Sequence, residues 1–586
     1  MPLVPINNVG QVGIIRDIPA YSLPPNVWSN GNNVRFLDNG VKKCAGYEEV
    51  FATLPFAAYH TIPFLDNGGN YWWIAFGLKN AAVWDGTNWL DITRQATGEL
   101  NGALSASDAT IVLDDSSAFP NAGTVAIGTN ETGDATTNLY EEIAYTTNTI
   151  GTNTLSGLTV ANAHPNNEVV TPVGTTATGD NLYNATNTEN WRATILNGLM
   201  VATNGYDTAQ MWPLVNGVPS KTVPLRELKN WQTTSHKCKS ISAFRTFLVG
   251  LNWQIDGDEY PNMVKWSTEA AALNPPNTWV ESDGTLDAGE YQLTDTPGKI
   301  VDGLPYGDSF LIYKEDSIYI MNFVGTPYIF SFKLLSPTIG LLAKNAVAEF
   351  EGGHFFVGNS DCYVTNGQQV TALLPGKLRR EMFSDLNGDN YEKVFVAADY
   401  TRNEMLACYP AGISTIPNKA VIWNWKDNTF SIRSIPDLYD INSGIAVVST
   451  GATWEGTAGT WNAAAGIWGQ GNYDSVLKTL VFVKPDFKAT ISGATKANPV
   501  VITSTTHGLA DGDKVSISGV GGMVELNATT HYAKVTGYST TTFALYSDSD
   551  LTTTVDGTGY TTYTSGGSVD MPKMYRDDQG NQEDGT

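Results

Sequence analysis

The chain predicts an all-β protein: a β-propeller body carrying two small inserted β modules of sandwich or barrel type. Three observations lead there. Glycine is abundant, 57 of 586 residues, and recurs in Asn-Gly, Asp-Gly and Gly-Gly pairs that supply the backbone angles of tight hairpins. Short β-branched or aromatic runs bounded by Gly, Asn or Asp recur at 71–76, 195–201, 247–249, 310–313, 355–357 and 394–396, whereas helical periodicity is scarce, its best candidate being 377–386. Strand–turn–strand units repeat at 83–89, 363–370 and 423–431, with 200–205 as a related element, as in a meander that closes four-stranded blades.

Composition then divides the chain. From 96 to 175 there is no Trp, and Thr, Ala, Asn and Gly dominate around small alternating runs at 109–115, 123–128 and 142–145. The same shift occurs over 487–568. The expected layout is therefore propeller at 1–95, inserted module at 96–175, main propeller at 176–486, second inserted module at 487–568, and a return strand or tail at 569–586. Closure of the last blade is left between an N-terminal strand and an incomplete blade.

Charge limits the function classes. With 34 Lys and Arg against 59 Asp and Glu, the formal net charge is -25, which repels phosphate and disfavours counterion-releasing DNA binding. An acidic wall past which DNA slides remains compatible. No segment approaches the ~20 apolar residues of a membrane-spanning helix, and no charged n-region with an apolar run opens the chain. Cys44, Cys238, Cys362 and Cys408 are widely spaced, without a Cys-x-x-Cys pair, and read as small buried hydrophobes.

No catalytic, cofactor-binding or metal-ligating residue is assigned. His60, His164, His236, His354, His507 and His531 never fall within ligand-pair spacing. Asp385, Asn387, Asp389 and Asn390 imitate a calcium loop, but the glycine is misplaced and Val396 stands where a bidentate Glu is needed. Gly519, Gly521 and Gly522 lack the Lys-Ser/Thr of a phosphate loop. A sugar-cleaving propeller is the enzymatic rival, because 85–89 faintly resembles the Asp-box turn of sialidases. Here, though, Gly86 follows Asp85 directly and Val83 replaces the expected Ser.

Trp454, Trp461 and Trp468 recur every seven residues in a Gly- and Thr-rich stretch that opposes a helix. Filling a seam between blades is the preferred reading for them. The alternative is an exposed docking or sugar platform, as in a carbohydrate- or receptor-binding protein.

Four segments carry a resemblance. The first contains Pro24, Pro25, Asn26, Trp28, Asn30, Gly31, Asn32, Asn33, Val34, Arg35 and Phe36, and continues through Gly40, Cys44 and Tyr47. The second is Met263, Val264, Lys265, Trp266 and Ser267, followed by Pro275, Pro276 and Trp279. The third runs from Asp399 through Arg402 and Glu404 to Tyr409 and Pro410, leading into the fourth, Lys419 to Trp423 and Trp425. In this order they resemble the tail nozzle proteins of short-tailed bacteriophages, also called packaged-DNA stabilisation or tail hub proteins. The resemblance covers about 23–468 outside the first insertion.

It implies a structural virion protein rather than an enzyme. Six copies would form a ring at the distal end of the tail, below portal and adaptor rings, contacting fibres, spikes or a needle. The ring would enclose the exit channel, retain packaged double-stranded DNA without reading its sequence, and open for ejection; assembly would occur in the bacterial cytoplasm. Gate residues do not carry over. Separately, His507, Gly508, Leu509, Asp511, Gly512 and Asp513 resemble a small β domain of ubiquitin-activating enzymes, which implies fold and no ubiquitin chemistry.

Overall fold

The computed structural model describes residues 10–577 except 38, 45, 129–139, 175–181, 187–190, 216, 282–284, 375, 446–477, 528 and 549. The chain is nearly all β, as expected, and the helical run at 377–386 folds as the short helix Arg379–Asp385. Two compact units are present: residues 64–359 with 363–371, and residues 1–63 with 360–362 and 372–586.

Four-stranded antiparallel meanders dominate the first of these units. The strand His60–Leu65 leads into Tyr71–Phe76, Ala81–Trp84 and Trp89–Asp91. Arg192–Leu196, Leu199–Thr203, Gln210–Met211 and Arg226–Glu227 form the next sheet. Lys237–Phe244, Phe247–Ile255, Asp258–Trp266 and Gly289–Gln292 form a third, and Ile300–Tyr306, Ser309–Lys314, Ile318–Phe323 and Phe330–Ser336 a fourth. Val347–Phe350, Gly353–Val357, Cys362–Thr365 and Val370–Ala372 follow.

Neighbouring meanders share cores. Leu199, Val201 and Met211 meet Ile241, Leu248 and Trp253, where Trp231, Trp253 and Trp279 rings lie 5.0–5.7 Å apart. Phe244, Val249 and Trp266 in turn pack with Phe310, Ile312 and Phe330. Each such side chain contributes about 1.5–3 kcal/mol on burial, so face-to-face packing is the main cohesive term.

The 98–173 region has a core of its own. Gly98–Glu99, Val169–Val173, Gly123–Ile127 and Glu141–Tyr145 form one sheet; Thr110–Val112, Thr154–Ser156 and Thr147–Thr149 form another. Leu100, Ile111, Leu113, Val125, Ile143, Leu155 and Val170 fill the space between them. Here His164 is held between Glu141 at 2.9 Å and Glu168 at 2.8 Å, with its side chain fully buried. The two carboxylates raise its pKa against the opposing effect of burial, the largest single influence on it.

In the other unit, Phe395–Asp399, Glu404–Tyr409, Lys419–Asn424 and Thr429–Ser434 make a meander. Its core residues Leu406 and Ile422 join Ile441, Leu480 and Phe482 of the following layer. That layer runs Asp440–Gly444, Thr479–Ala494, Ser568–Asp577 and finally Tyr47–Glu49, so an N-terminal strand supplies its edge.

Thr479–Ala494 and Ser568–Asp577 extend past this layer and, with Val501–Ser504, Thr542–Tyr546, Thr529–Lys534 and Lys514–Ser518, close a six-stranded barrel. Val515, Ile517, Ala533, Phe543, Leu545 and Val569 fill its interior. Alternation along each short strand is what lets so small a barrel pack without a lumen. A register shift between Phe487 and Ala489 marks the passage from layer to barrel.

Candidate functional site

The first signature segment folds as the hairpin Val34–Leu37 with Gly40–Lys43, turning at Asn39 with φ 60°. It lies on the strand Thr429–Ser434. Asn33 donates its backbone N–H to Ile432 O (3.1 Å), and the Ser434 N–H is accepted by the side-chain oxygens of Asn32 and Asn33, both at 3.0 Å. Just upstream, Gly13 has φ +91°, and a Cβ there would stand 2.4 Å from Phe430 O, so this close approach requires glycine.

Arg35 is the centre of the contact. Its Nε donates to Glu404 Oε2 at 2.9 Å, with side-chain exposures of 5% and 2%. Burial raises the Glu404 pKa, and Arg35 opposes that shift. The first and third motifs of the resemblance are thus joined by one buried ion pair. Asp399 organises the adjoining turn, accepting from the N–H groups of Thr401 and Arg402 and from Arg402 Nη1 at 2.8 Å.

The second motif is architectural too. Trp266 Nε1 donates to Asp287 O (2.8 Å), the Leu248 N–H donates to Ser267 Oγ, and Thr268 is tied to Thr278 so that Trp279 enters the tryptophan cluster.

Asp302, fully buried, gathers neighbouring meanders. It accepts from Ser240 Oγ at 2.7 Å and from the Asn345 N–H at 3.2 Å, while Arg192 Nε lies 3.6 Å away and Arg192 Nη1 donates to Asn345 Oδ1. These four residues come from four successive sheets or the turns leading into them. Nothing in the sequence singles them out: a lone Asp before Gly303 reads as a turn residue.

The residues weighed for chemistry have ordinary roles. Asp385 pairs with Lys419 at 2.8 Å, Asn387 caps the Asp389 N–H, and Val396 is a buried strand residue, so the calcium-like run is a helix end and a turn. Asp85 accepts from Thr87 and Asn88 in a hairpin whose flanking Trp84 and Trp89 rings pack at 5.5 Å. Asp511 and Asp513 likewise accept backbone N–H groups of nearby turns.

The four cysteines are buried and none is in a disulfide, and burial raises the Cys238 thiol to about 12. Among the described residues, no group of three or more His, Cys, Asp or Glu side chains is placed to hold a metal ion. No helix among them is long and apolar enough to cross a membrane. Trp454, Trp461 and Trp468 lie outside the described residues.

One cleft stands out. About 670 Å³ in volume, it is lined by residues 94–97, 99, 165–169, 208, 210, 226, 227, 229 and 230, where the 98–173 sheets adjoin the meander ending in Arg226–Glu227. Arg94 is positioned by Asp207 at 3.0 Å, by Leu182 O at 3.0 Å and by the Tyr183 ring at 4.9 Å. Arg226 is buried, and burial lowers its pKa to about 10. Lys229 is also lowered, by desolvation and then by the charge of Arg226. Sequence reading missed the cleft because its walls come from three separated stretches.

Comparison with known proteins adds two findings. Residues 497–573 match the family model of the ubiquitin-activating enzyme E1 FCCH domain, placing that likeness on the six-stranded barrel. No curated protein matches the chain in sequence. Among solved structures, the computationally designed Ika8 protein aligns at TM-score 0.29 and 10% identity, covering 67% of this chain and 92% of Ika8. AztD of Citrobacter koseri aligns at 0.26 and 12%, covering 62% and 94%. Hsv2 of Kluyvelomyces marxianus aligns at 0.26 and 8%, covering 43% and 65%. Scores at this level carry no argument about fold or function.

Proposed function

We propose that this protein is a tail nozzle of a short-tailed bacteriophage, a ring-forming virion component that encloses the DNA exit channel, retains packaged DNA and opens for ejection. In this reading the four-stranded meanders are the blades of a β-propeller, and residues 98–173 and the six-stranded barrel are modules inserted into it. The observation that carries the reading is the buried Arg35–Glu404 pair. It brings together two of the segments on which the nozzle resemblance rests, and it does so as architecture, the role the resemblance implies for them.

The ordered succession of meanders, and the Tyr47–Glu49 strand completing the layer of Ser568–Asp577, support blades closed by an N-terminal strand. The charge of -25 suits a conduit that DNA traverses without adhering. Homohexamers docking on an adaptor ring are the expected assembly.

Mass photometry and negative-stain imaging of the purified chain, alone and with its portal and adaptor, test this. Six-fold rings that join the adaptor support it. A stable monomer that ignores the adaptor and hydrolyses surface polysaccharide overturns it in favour of the glycosidase reading.

A further inference from the structure

Residues 160–168 form a strap between the strands Thr154–Ser156 and Val169–Val173. It runs antiparallel to 100–108, with backbone hydrogen bonds linking Ser107 to Val160, Leu104 to His164 and Leu100 to Asn167. Of residues 161–167, His164 is the one that is buried. The strap thus has little apolar surface to hold it down, and a segment of that kind opens locally at low cost.

Its middle is fastened through one ring. His164 Nε2 lies 2.9 Å from Glu141 Oε1, on the edge strand Glu141–Tyr145, and Nδ1 lies 2.8 Å from Glu168 Oε2. Glu141 Oε2 also accepts the Ala161 N–H at 2.8 Å. Only an imidazolium donates from both ring nitrogens. A neutral ring turns a lone pair toward one of the two carboxylates, and that contact becomes repulsive.

Other charged groups around the strap are turned elsewhere. Asp108, the one titratable residue of 100–108, accepts the Ser105 N–H at 2.8 Å, and Glu142 accepts from Thr222 Oγ1. Tyr145 donates to Pro120 O, Glu99 is exposed, and Arg94 is paired with Asp207. Val169–Val173 carries no titratable residue. Burial by itself lowers the pKa of the His164 ring; the two carboxylates outweigh it, so the net direction is up. The stability this arrangement contributes is therefore complete below about pH 6.5 and lost as pH rises through the raised value.

We propose that His164 is a pH-operated clasp: as an imidazolium it closes the strap 160–168 onto the edge strand, and on losing its proton it releases the strap. Residues 165–169 also line the cleft described above, so release frees one of its walls. The proposal is independent of the ring-forming role and holds for a monomer or a hexamer alike.

The test is hydrogen–deuterium exchange of the full chain, read by mass spectrometry at about pH 6 and about pH 9 and corrected for the intrinsic pH dependence of amide exchange. Peptides covering 160–168 should be protected at the lower pH and exchange about tenfold to a hundredfold faster at the higher, the loss of one charge-assisted bond. Glu141→Gln separates the clasp from a general alkaline loosening. Its amide oxygen still accepts the Ala161 N–H while its NH2 donates to a neutral His164, so the strap should stay closed at both pH values. His164→Gln, neutral throughout, should likewise abolish the pH step. The proposal is overturned if the strap of the unsubstituted chain is equally protected at both pH values, if Glu141→Gln opens at the higher pH as the unsubstituted chain does, or if the step survives in His164→Gln.

Discussion

Replacing Arg35 by Met should be among the most damaging single changes available in this protein. At 2.9 Å and an effective dielectric constant of about 20, the gross attraction between Arg35 and Glu404 is roughly 6 kcal/mol. Desolvation of both groups offsets much of it, so the net worth of the intact pair is small. Breaking it is another matter, because Glu404 is only 1% exposed and is left as a buried carboxylate without its cation. The expected cost is about 3–5 kcal/mol, a large share of the 5–15 kcal/mol that typically stabilises a domain.

Urea unfolding followed by tryptophan fluorescence reads this directly, since Trp423 and Trp425 lie on and just beyond the strand paired with Glu404–Tyr409. The double replacement Arg35→Met with Glu404→Met removes both charges and should recover most of the loss. If Arg35→Met costs less than about 1 kcal/mol, or the double variant is no better than the single one, the buried pair is not what fastens these segments.

Three further outcomes follow from buried polar groups. Asp302→Ala should cost about 3–5 kcal/mol in the same assay, because Ser240 and Asn345 lose their shared acceptor and Arg192 its neighbouring carboxylate; a loss below about 1 kcal/mol would show that the sheets do not depend on it. Burial raises Asp440 to about 7 against the hydrogen bonds from Thr61, so its protonated form is favoured in the fold. The stability it contributes is complete below about pH 4 and lost as pH rises through about 7. Asp440→Asn should flatten that slope, and an unchanged slope would refute the assignment. His354 has the opposite sign: burial lowers it to about 4 while its ring bonds Tyr313 and Pro305 O, so its contribution is present above about pH 6.5 and lost as pH falls toward 4. His354→Gln should remove that acid sensitivity, read as the apparent melting temperature between pH 4 and 7.

Local signals carried most of what was legible in advance. The units at 83–89, 363–370 and 423–431 are strand–turn–strand in the structure because Asp85, Asn366 and Asn424 each accept the backbone N–H groups of the turn that follows. The alternation around Val515 and Ile517 likewise announced strands, since period-two patterns survive wherever one face is buried. What stayed hidden depends on separated residues. Asp302 and Asp440 are single polar residues whose meaning comes only from partners tens to hundreds of positions away. The edge strand Tyr47–Glu49 was too short to foretell which end it would seal.

That edge strand constrains the order in which the molecule can be made. Tyr47–Glu49 leaves the ribosome early, yet its ladder partner, Tyr575–Asp577, is synthesised more than 500 residues later. At ordinary translation rates it must wait for tens of seconds or longer, an exposed polar-edged segment with no mate. Assembly of this layer is therefore a late event, and a nascent chain interrupted before its closing residues would hold well-formed sheets beside a seam that cannot be zipped.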